Sequence, residues 1–374
     1  MPDQHALLSA SSSARWLNCP PSAKLCAELP DVATSYALEG TDAHELCAYL
    51  VDTALGKAAV DPRENMSFYN EEMQECADDY CQYVLEQVQR AKRHCEDPVV
   101  CIEQRLDYSR WVPSGFGTGD CVIIADDVLQ IVDFKYGLGV EVSADHNTQM
   151  MCYALGALDA FDALYDIKDI KMTIFQPRKQ NVSEWSCSRD ELLQWAEEIL
   201  KPRAELAYKG EGEQAAGAWC RFCKIRSTCR KRAEANLMLA QYDFRLPPEL
   251  SNEEVAVVLD KLDDLEKWAE DVKKYALDAA LSGAEFEGWK VVEGRSNRVF
   301  TNKEAVANLV VGEGKDPFKH ELLGITEMEK LLGKKHFAEL LTGYVEKPAG
   351  KPALVPITDK RPAMNTAKDD FANE

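Results

Sequence analysis

Two carboxylates and a lysine lie within the short stretch 119-GDCVIIADDVLQIVDFKYG-137. Asp120 begins one apolar run, and Asp133 lies at the end of the next, two residues before Lys135. If the two runs pair as an antiparallel hairpin, the start of the first strand lies beside the end of the second, so the two acids become neighbours. Because side chains alternate along a strand, Asp133 and Lys135 should share one face.

Two adjacent carboxylates are costly to keep ionised unless a cation lies between them. Oxygen ligands of this kind suit Mg²⁺ or Mn²⁺, and a nearby ammonium can orient an attacking water and stabilise charge on a phosphate. The pattern therefore indicates metal-assisted hydrolysis of a phosphodiester. Taken alone, a D-x-K triplet is more typical of a surface ion pair, so the assignment depends on the elements around it.

The hydrophobic pattern predicts an α/β domain around this hairpin. The order of helices, three strands, helix and strand favours a sandwich whose last strand joins the sheet by a helical crossover. The predicted elements are a short helix at 11–28 interrupted at Cys19-Pro20-Pro21, helices at 41–55 (capped by Thr41 or Asp42) and about 70–94, strands at 98–108, 119–126 and 128–135, a helix at 146–161, a strand at 169–178 and a helix near 188–208.

Four motifs along the chain resemble, in order, those of the PD-(D/E)XK nuclease superfamily in its RecB-like branch. They are 40-GTDAH-44 with the upstream histidine, 117-GTGD-120 with the glycine-rich approach to the first acid, the 133-DFK-135 core and 149-QMMCY-153, a Q-x-x-x-Y helix motif. The resemblance implies a restriction-endonuclease-like (PD-(D/E)XK) sandwich core with a mixed sheet flanked by helices.

The same resemblance assigns a role to each motif residue, and Glu103 on the preceding predicted strand is a weaker candidate for a metal ligand. The implied roles are metal ligands for His44, Asp120 and Asp133, with the Phe134 carbonyl as a further ligand; activation of the water for Lys135; and positioning of the helix and the DNA strand for Gln149 and Tyr153.

Thirteen cysteines, an odd number in a chain without an export signal, argue against a disulfide framework. The segment 219-WCRFCKIRSTCRKR-232 holds C-x2-C-x5-C, which is one thiol short of a four-thiolate centre. The stretch 11-SSSARWLNCPPS-22 resembles the segment that supplies the first cluster cysteine in RecB-like nucleases with an iron–sulfur clasp, and Cys26 is a competitor. The resemblance implies a structural 4Fe-4S cluster, with zinc as the alternative, on Cys19, Cys220, Cys223 and Cys229.

A net charge of -21 argues against a surface that binds nucleic acid everywhere. Charge is segregated, however. Residues 221–232 contain six basic residues and no acid, whereas 251–273 contain eight acids and three lysines in an amphipathic pattern whose acidic face is expected to be solvated. The basic segment predicts a groove able to follow a phosphate backbone. Its expected members are Arg221, Lys224, Arg226 and Arg230.

The whole chain also resembles an uncharacterised phage and prophage family of RecB-like proteins, through 15-RWLNCP-20, 288-GWKVVEGRSNR-298 and 352-PALVPITDKRPAMN-365. In the second of these, Arg295 and Arg298 could contact DNA or simply cap the fold. The predicted domains are an N-terminal helix with the first cluster cysteine (1–35), the nuclease core (36–210), a cysteine-rich basic clasp (211–240), a mainly helical C-terminal domain (241–345) and an extended tail (346–374).

These features predict a Mg²⁺-dependent deoxyribonuclease, an exonuclease that processes DNA ends in phage replication or recombination. The alternatives are a nickase or endonuclease, a non-catalytic DNA-binding or scaffold subunit, and a zinc-bound interaction module. DNA and a phage single-strand annealing or binding protein are the expected partners. The chain lacks a long apolar run and a signal-like N-terminus, so the cytoplasm of the bacterial host is the expected location.

Overall fold

The computed structural model describes residues 6–30, 34–238, 250–292, 302–312, 318 and 323–345. The chain divides into two compact units, Met1–Val291 and Val292–Glu374. The candidate DNA contacts Arg295 and Arg298 and the tail 346–374 lie outside the described residues. Among the described residues, no helix is long and apolar enough to cross a membrane.

A mixed sheet of five strands, counted over the described residues, forms the centre of the first unit. The strands follow the order β1-β2-β3-β4-β5, and every neighbouring pair is antiparallel except β3 and β4. A parallel pair needs a crossover, which is a helix here, as expected. The strands are β1 (Val99–Asp107), β2 (Phe116–Ala125), β3 (Val128–Phe134), β4 (Asp169–Gln176) and β5 (Asn181–Ser188).

The helices of the first unit include those that cover both faces of this sheet. In the first unit they are α1 (Ser13–Asn18), α2 (Ser22–Ala27), α3 (Ser35–Ala54), α4 (Glu71–Ala91), α5 (Thr148–Phe161), α6 (Arg189–Trp195), α7 (Lys201–Lys209), α8 (Arg230–Leu237) and α9 (Asn252–Leu281), with a π-helical turn at Ala196–Leu200. The second unit contains α10 (Lys303–Gly312), α11 (Ile325–Leu332) and α12 (Lys334–Leu341).

Two apolar cores lie on opposite faces of the sheet because strand side chains alternate. On β2, Val122 and Ile124 belong to the core under α5, α6 and α7, which we call the α5 face. Cys121 and Ile123 belong to the core under α3 and α4, which we call the α3 face. Both sets are buried, as expected for a central strand covered on two sides.

Most predicted elements are confirmed, including the β2–β3 hairpin and the break between α1 and α2. The predicted cap of α3 is wrong: the helix begins at Ser35, and the Thr34 side chain caps it by accepting a hydrogen bond from the Ala37 amide at 3.2 Å. Asp42 instead accepts a hydrogen bond from the Phe68 amide at 2.9 Å. Strand β5 was not predicted.

Ion pairs hold the acidic helix α9 against α8. The Arg232 side chain is 1% exposed and lies 2.9 Å from Asp264 and 2.7 Å from Asp271. Arg226 contacts Asp271 at 2.8 Å. The expectation of a solvated acidic face is wrong for Asp271, whose side chain is 19% exposed, whereas that of Asp264 is 43% exposed. Both acids neutralise arginines of the cysteine-rich segment.

Candidate active site

Three carboxylates lie side by side across the sheet. The last pair in the β2–β3 register is Cys121 with Val132, so Asp120 and Asp133 each lie one residue beyond it on neighbouring strands. On the other side of β2, Ile102 pairs with Cys121 and Gln104 with Gly119, so Glu103 of β1 lies between residues that flank Asp120. Acids from three neighbouring strands therefore converge, with Asp120 in the middle.

The carboxylate of Asp120 is fixed from two directions. Its Oδ2 accepts a hydrogen bond from the Phe134 amide at 2.6 Å, and its Oδ1 lies 3.2 Å from His44 Nδ1. The His44 ring packs edge-on against the Phe134 ring, with centroids 5.4 Å apart. One ligand atom each of His44, Glu103 and Asp120 lie within 4.8 Å of one another, a spacing that could hold a metal ion.

Asp133, the expected third ligand, contacts a different set of partners. Its Oδ1 accepts a hydrogen bond from Gln149 Nε2 at 3.1 Å, and its Oδ2 lies 2.9 Å from Lys135 Nζ. Gln149 also accepts a hydrogen bond from Lys135 at 3.3 Å and donates to the Tyr153 hydroxyl at 3.3 Å. The structure thus brings all four of these predicted residues together, while Glu103, the weaker candidate, lies closer to His44 and Asp120.

The pKa values of the site follow from burial and mutual charge. Burial raises the pKa of Asp133 above its ordinary value, although Lys135 opposes this. Burial alone would also raise the pKa of Asp120, but the positive charges of His44 and Lys135 outweigh it and leave that pKa lowered. Partial desolvation and the charge of Asp120 raise the pKa of Glu103 to about 7. These neighbouring acids therefore differ in how readily they ionise.

Both basic groups of the site are stabilised in their charged forms. Burial by itself would lower the pKa of His44, but the negative charge of Asp120 outweighs it and raises the pKa to about 9. For Lys135, burial is likewise outweighed by Asp133 and Asp120, so its pKa lies above the ordinary value. The positive charges of the two basic groups thus balance the negative charges of the acids, and a bound cation could do the same.

The glycines of the 117-GTGD-120 motif make room for side chains under α5. A Cβ at Gly117 would lie 2.7 Å from Cε1 of Tyr153, and a Cβ at Gly119 would lie 2.8 Å from Cδ1 of Leu106. Real Cβ contacts are almost never that short. The motif therefore allows the Tyr153 ring to lie directly on β2.

Arg178 contacts the elements that carry the site, and no sequence motif indicated this role. It donates two hydrogen bonds to Glu72 at the start of α4 and lies 3.4 Å from Glu39 in α3. Its guanidinium lies over the Tyr136 ring, 4.6 Å from the centroid. The residue links the helix that carries His44 to the end of β3.

Four predicted cluster cysteines line one small cavity between the N-terminal helices and the cysteine-rich segment. Cys19 and Cys220 thus line the same cavity, and the metal centre that they would share stays a prediction. The competitor Cys26 lies outside this lining but its Sγ is 3.6 Å from that of Cys223. The hydrogen bond with Cys223 lowers the pKa of Cys26 to about 5 and raises that of Cys223. The four lining residues are Cys19, Cys220, Cys223 and Cys229.

Fewer residues of the predicted basic groove are available in the structure than the sequence suggested. Arg226 is engaged by α9, as described above, and Lys224 Nζ donates a hydrogen bond to the Leu29 carbonyl at 2.8 Å. Arg221 and Arg230 are exposed. Two exposed arginines therefore carry most of the remaining positive charge of this group.

A family model described as "Protein of unknown function (DUF2800)" matches residues 5–362 of the chain. Among solved structures, the chain is similar to one described as "Crystal structure of SSO0001", with 12% sequence identity and a TM-score of 0.23. That similarity covers 50% of this chain and 94% of the other.

Proposed function

The chain belongs to the DUF2800 family of proteins of unknown function, and we propose that it is a Mg²⁺- or Mn²⁺-dependent deoxyribonuclease with a PD-(D/E)XK core. The observation that carries the proposal is the grouping of His44, Glu103 and Asp120 ligand atoms within 4.8 Å, next to the ion pair of Asp133 and Lys135. Carboxylates with a lysine beside them provide cation ligands and a donor toward phosphate.

The donor set fits a divalent cation. His44, Glu103 and Asp120 would hold it, and Asp133 offers a further oxygen. Its Oδ2 is buried and, although ion-paired with Lys135, makes no well-aligned hydrogen bond, so a lone pair stays available. When bound, the cation would polarise a phosphoryl oxygen and lower the pKa of water.

Lys135 supports a role as a charged donor and not as a base. Its raised pKa keeps the ammonium protonated at neutral pH, and an ammonium can only donate. The contacts with Asp133 and Gln149 hold Nζ beside the acids. From this position it would orient the attacking water and stabilise charge on the phosphate.

Limited access to the acids supports cleavage at DNA ends. The side chains of Asp120 and Asp133 are 11% and 3% exposed. One strand that enters from an end reaches such a recessed site more readily than a phosphate within continuous duplex. We therefore propose an exonuclease that processes ends in phage replication or recombination, with a single-strand annealing or binding protein as its partner. The cleavage assay described below can also identify the alternatives, which are a nickase, an endonuclease and a non-catalytic scaffold subunit.

As the second cofactor we propose a 4Fe-4S cluster on Cys19, Cys220, Cys223 and Cys229, with structural zinc as the alternative. Zinc–sulfur bonds of about 2.3 Å in a tetrahedron place the sulfurs about 3.8 Å apart. Among the described residues, no three thiols lie within 4.8 Å of one another, although four line one cavity. Cys26 Sγ and Cys223 Sγ are 3.6 Å apart, close to the zinc spacing, so metal analysis decides between the two groups. A cluster that joins Cys19 to Cys220 would close a loop of about 200 residues. Cross-links that close long loops restrict the unfolded chain most.

The decisive experiment combines purified protein, Mg²⁺ and end-labelled single- and double-stranded DNA. We expect cleavage by the wild type and its loss in Asp120→Asn and Asp133→Asn. Asp126→Asn, in the β2–β3 turn at the other end of the hairpin, is the matched control. Absence of cleavage by the wild type, or full activity of Asp133→Asn, contradicts the proposal. Iron and sulfide analysis tests the cluster, and a colourless protein containing zinc contradicts it.

A further inference from the structure

An exposed histidine precedes α5 in an unfavourable backbone conformation. His146 has a φ of +49°, in the left-handed region that residues other than glycine seldom adopt. Its ring packs against Trp185 on β5, with centroids 4.4 Å apart and planes at 37°. The side chain is 75% exposed, so much of the ring surface faces solvent.

The sheet register gives the distance of this pair from the candidate active site. Trp185 lies opposite Met172 on β4, which lies opposite Ile131 on β3. Ile131 and Asp133 share a face because they are two residues apart. Trp185 is therefore on the face of Asp133, two strands away and two residues along, which corresponds to roughly 12 Å.

The beginning of α5 does not require a histidine at this position. Asn147 caps the helix by accepting hydrogen bonds from the amides of Gln149 and Met150. Glycine or asparagine would form the turn before it at lower conformational cost than His146. What histidine adds is an aromatic surface, and strained residues of this kind tend to occur at functional positions.

We propose that His146, supported by Trp185, is a stacking surface for a base of the DNA strand whose neighbouring phosphate is cut at the candidate active site. The inference deepens the proposed function and rests on it. Aromatic side chains stack on any base and give binding without sequence preference. The carboxylate of Asp145, 2.6 Å from His146 Nδ1, repels a phosphate, so the contact is with a base and not with the backbone.

The test uses His146→Gly, which removes the ring and at the same time relieves the backbone strain. Glycine adopts this φ readily, so the variant should be at least as stable as the wild type. We expect its affinity for a fluorescent single-stranded oligonucleotide to be about 5- to 10-fold weaker, at the low end for base stacking. Asp126→Gly is the matched control, since Asp126 has a φ of +51° at the far end of the hairpin, and its affinity should not fall.

A single abasic site moved along the oligonucleotide identifies the contacted base. Ca²⁺, which takes the same type of ligand, replaces Mg²⁺ during binding. One abasic position should weaken binding to the wild type 5- to 10-fold and have no further effect in His146→Gly. Three results would each overturn the inference. His146→Gly could bind as tightly as the wild type, no abasic position could lose its effect in the variant, or the wild type could fail to bind single strands. Cleavage measured in parallel with Mg²⁺ judges the proposed function separately, since the wild type can cut DNA without any coupling to His146.

Discussion

Replacing Arg232 by alanine should loosen the cysteine-rich segment from α9. The guanidinium is buried and forms hydrogen bonds to Asp271 at 2.7 Å and Asp264 at 2.9 Å. Helix α8 begins directly after Cys229, so Arg232 connects the last predicted cluster cysteine to α9. Its loss removes one charged partner from each of the two acids.

The expected destabilisation is at the low end of the range for buried ion pairs. Removing one partner of such a pair costs about 3–5 kcal/mol. Asp264 is 43% exposed and Asp271 keeps Arg226, so we expect about 2–3 kcal/mol. An unfolding entropy of about 2.1 cal/mol/K per residue gives about 0.6 kcal/mol/K for the unit Met1–Val291. The melting temperature should therefore fall by roughly 3–5 °C.

Thermal unfolding followed by circular dichroism measures the effect, and bound metal per chain gives a second readout. Lys231→Ala is the control, because Lys231 is 48% exposed and lies 3.8 Å from Glu234; such pairs contribute well under about 1 kcal/mol. Arg232→Lys should fall between the two, because an ammonium cannot contact both acids as a guanidinium fork does. If Arg232→Ala and Lys231→Ala have the same melting temperature, the reasoning is refuted.

Three further predictions concern the active site and the α9 contact. Glu103→Gln should raise the Mg²⁺ concentration needed for half-maximal cleavage on the order of tenfold by removing one anionic charge, and an unchanged metal titration would exclude Glu103 as a ligand. Gly117→Ala should lower activity by displacing Tyr153, whose ring would lie 2.7 Å from the new Cβ; full activity would show that the ring position is unimportant. Arg226 and Arg232 overcome the effect of burial and lower the pKa of Asp271, so this acid contributes stability above its unfolded pKa of about 3.9 and loses it as pH falls through the folded value. Asp271→Asn should therefore melt earlier than wild type at neutral pH, with the difference shrinking below about pH 4, and a difference independent of pH would contradict this.

Local patterns in the sequence predicted the β2–β3 hairpin, because a two-strand hairpin fixes its own register, and that register ends one residue short of Asp120 and Asp133. The position of Glu103 could not be read in the same way. Its φ is +49° within β1, and a left-handed residue breaks the alternation from which side-chain direction is inferred. Strand β5 was missed because 181-NVSEWSCS-188 is largely polar, as an edge strand with one solvated side can be.

Charge segregation in the sequence was a correct observation with an incomplete interpretation. The sequence predicts two separate surfaces, a basic one at 221–232 and an acidic one at 251–273. Because opposite charges attract, residues of the two segments can form ion pairs with each other. Arg232 does so with Asp264 and Asp271. Which arginines stay exposed depends on how α8 packs on α9, and that long-range contact has no local signal.

The place where β2 and β3 separate explains how ligands from both faces of the sheet can meet. Pairing of β2 with β3 ends at Cys121 and Val132, after which β2 pairs only with β1 and the Lys135 amide bonds to β4. A continuous sheet would keep α3 and α5 apart. In the gap, His44 of α3 reaches Asp120, while Gln149 of α5 reaches the acid on β3. The candidate metal ligands His44 and Asp120 therefore meet at this divergence, and their geometry depends on the packing that holds α3 and β3 in place.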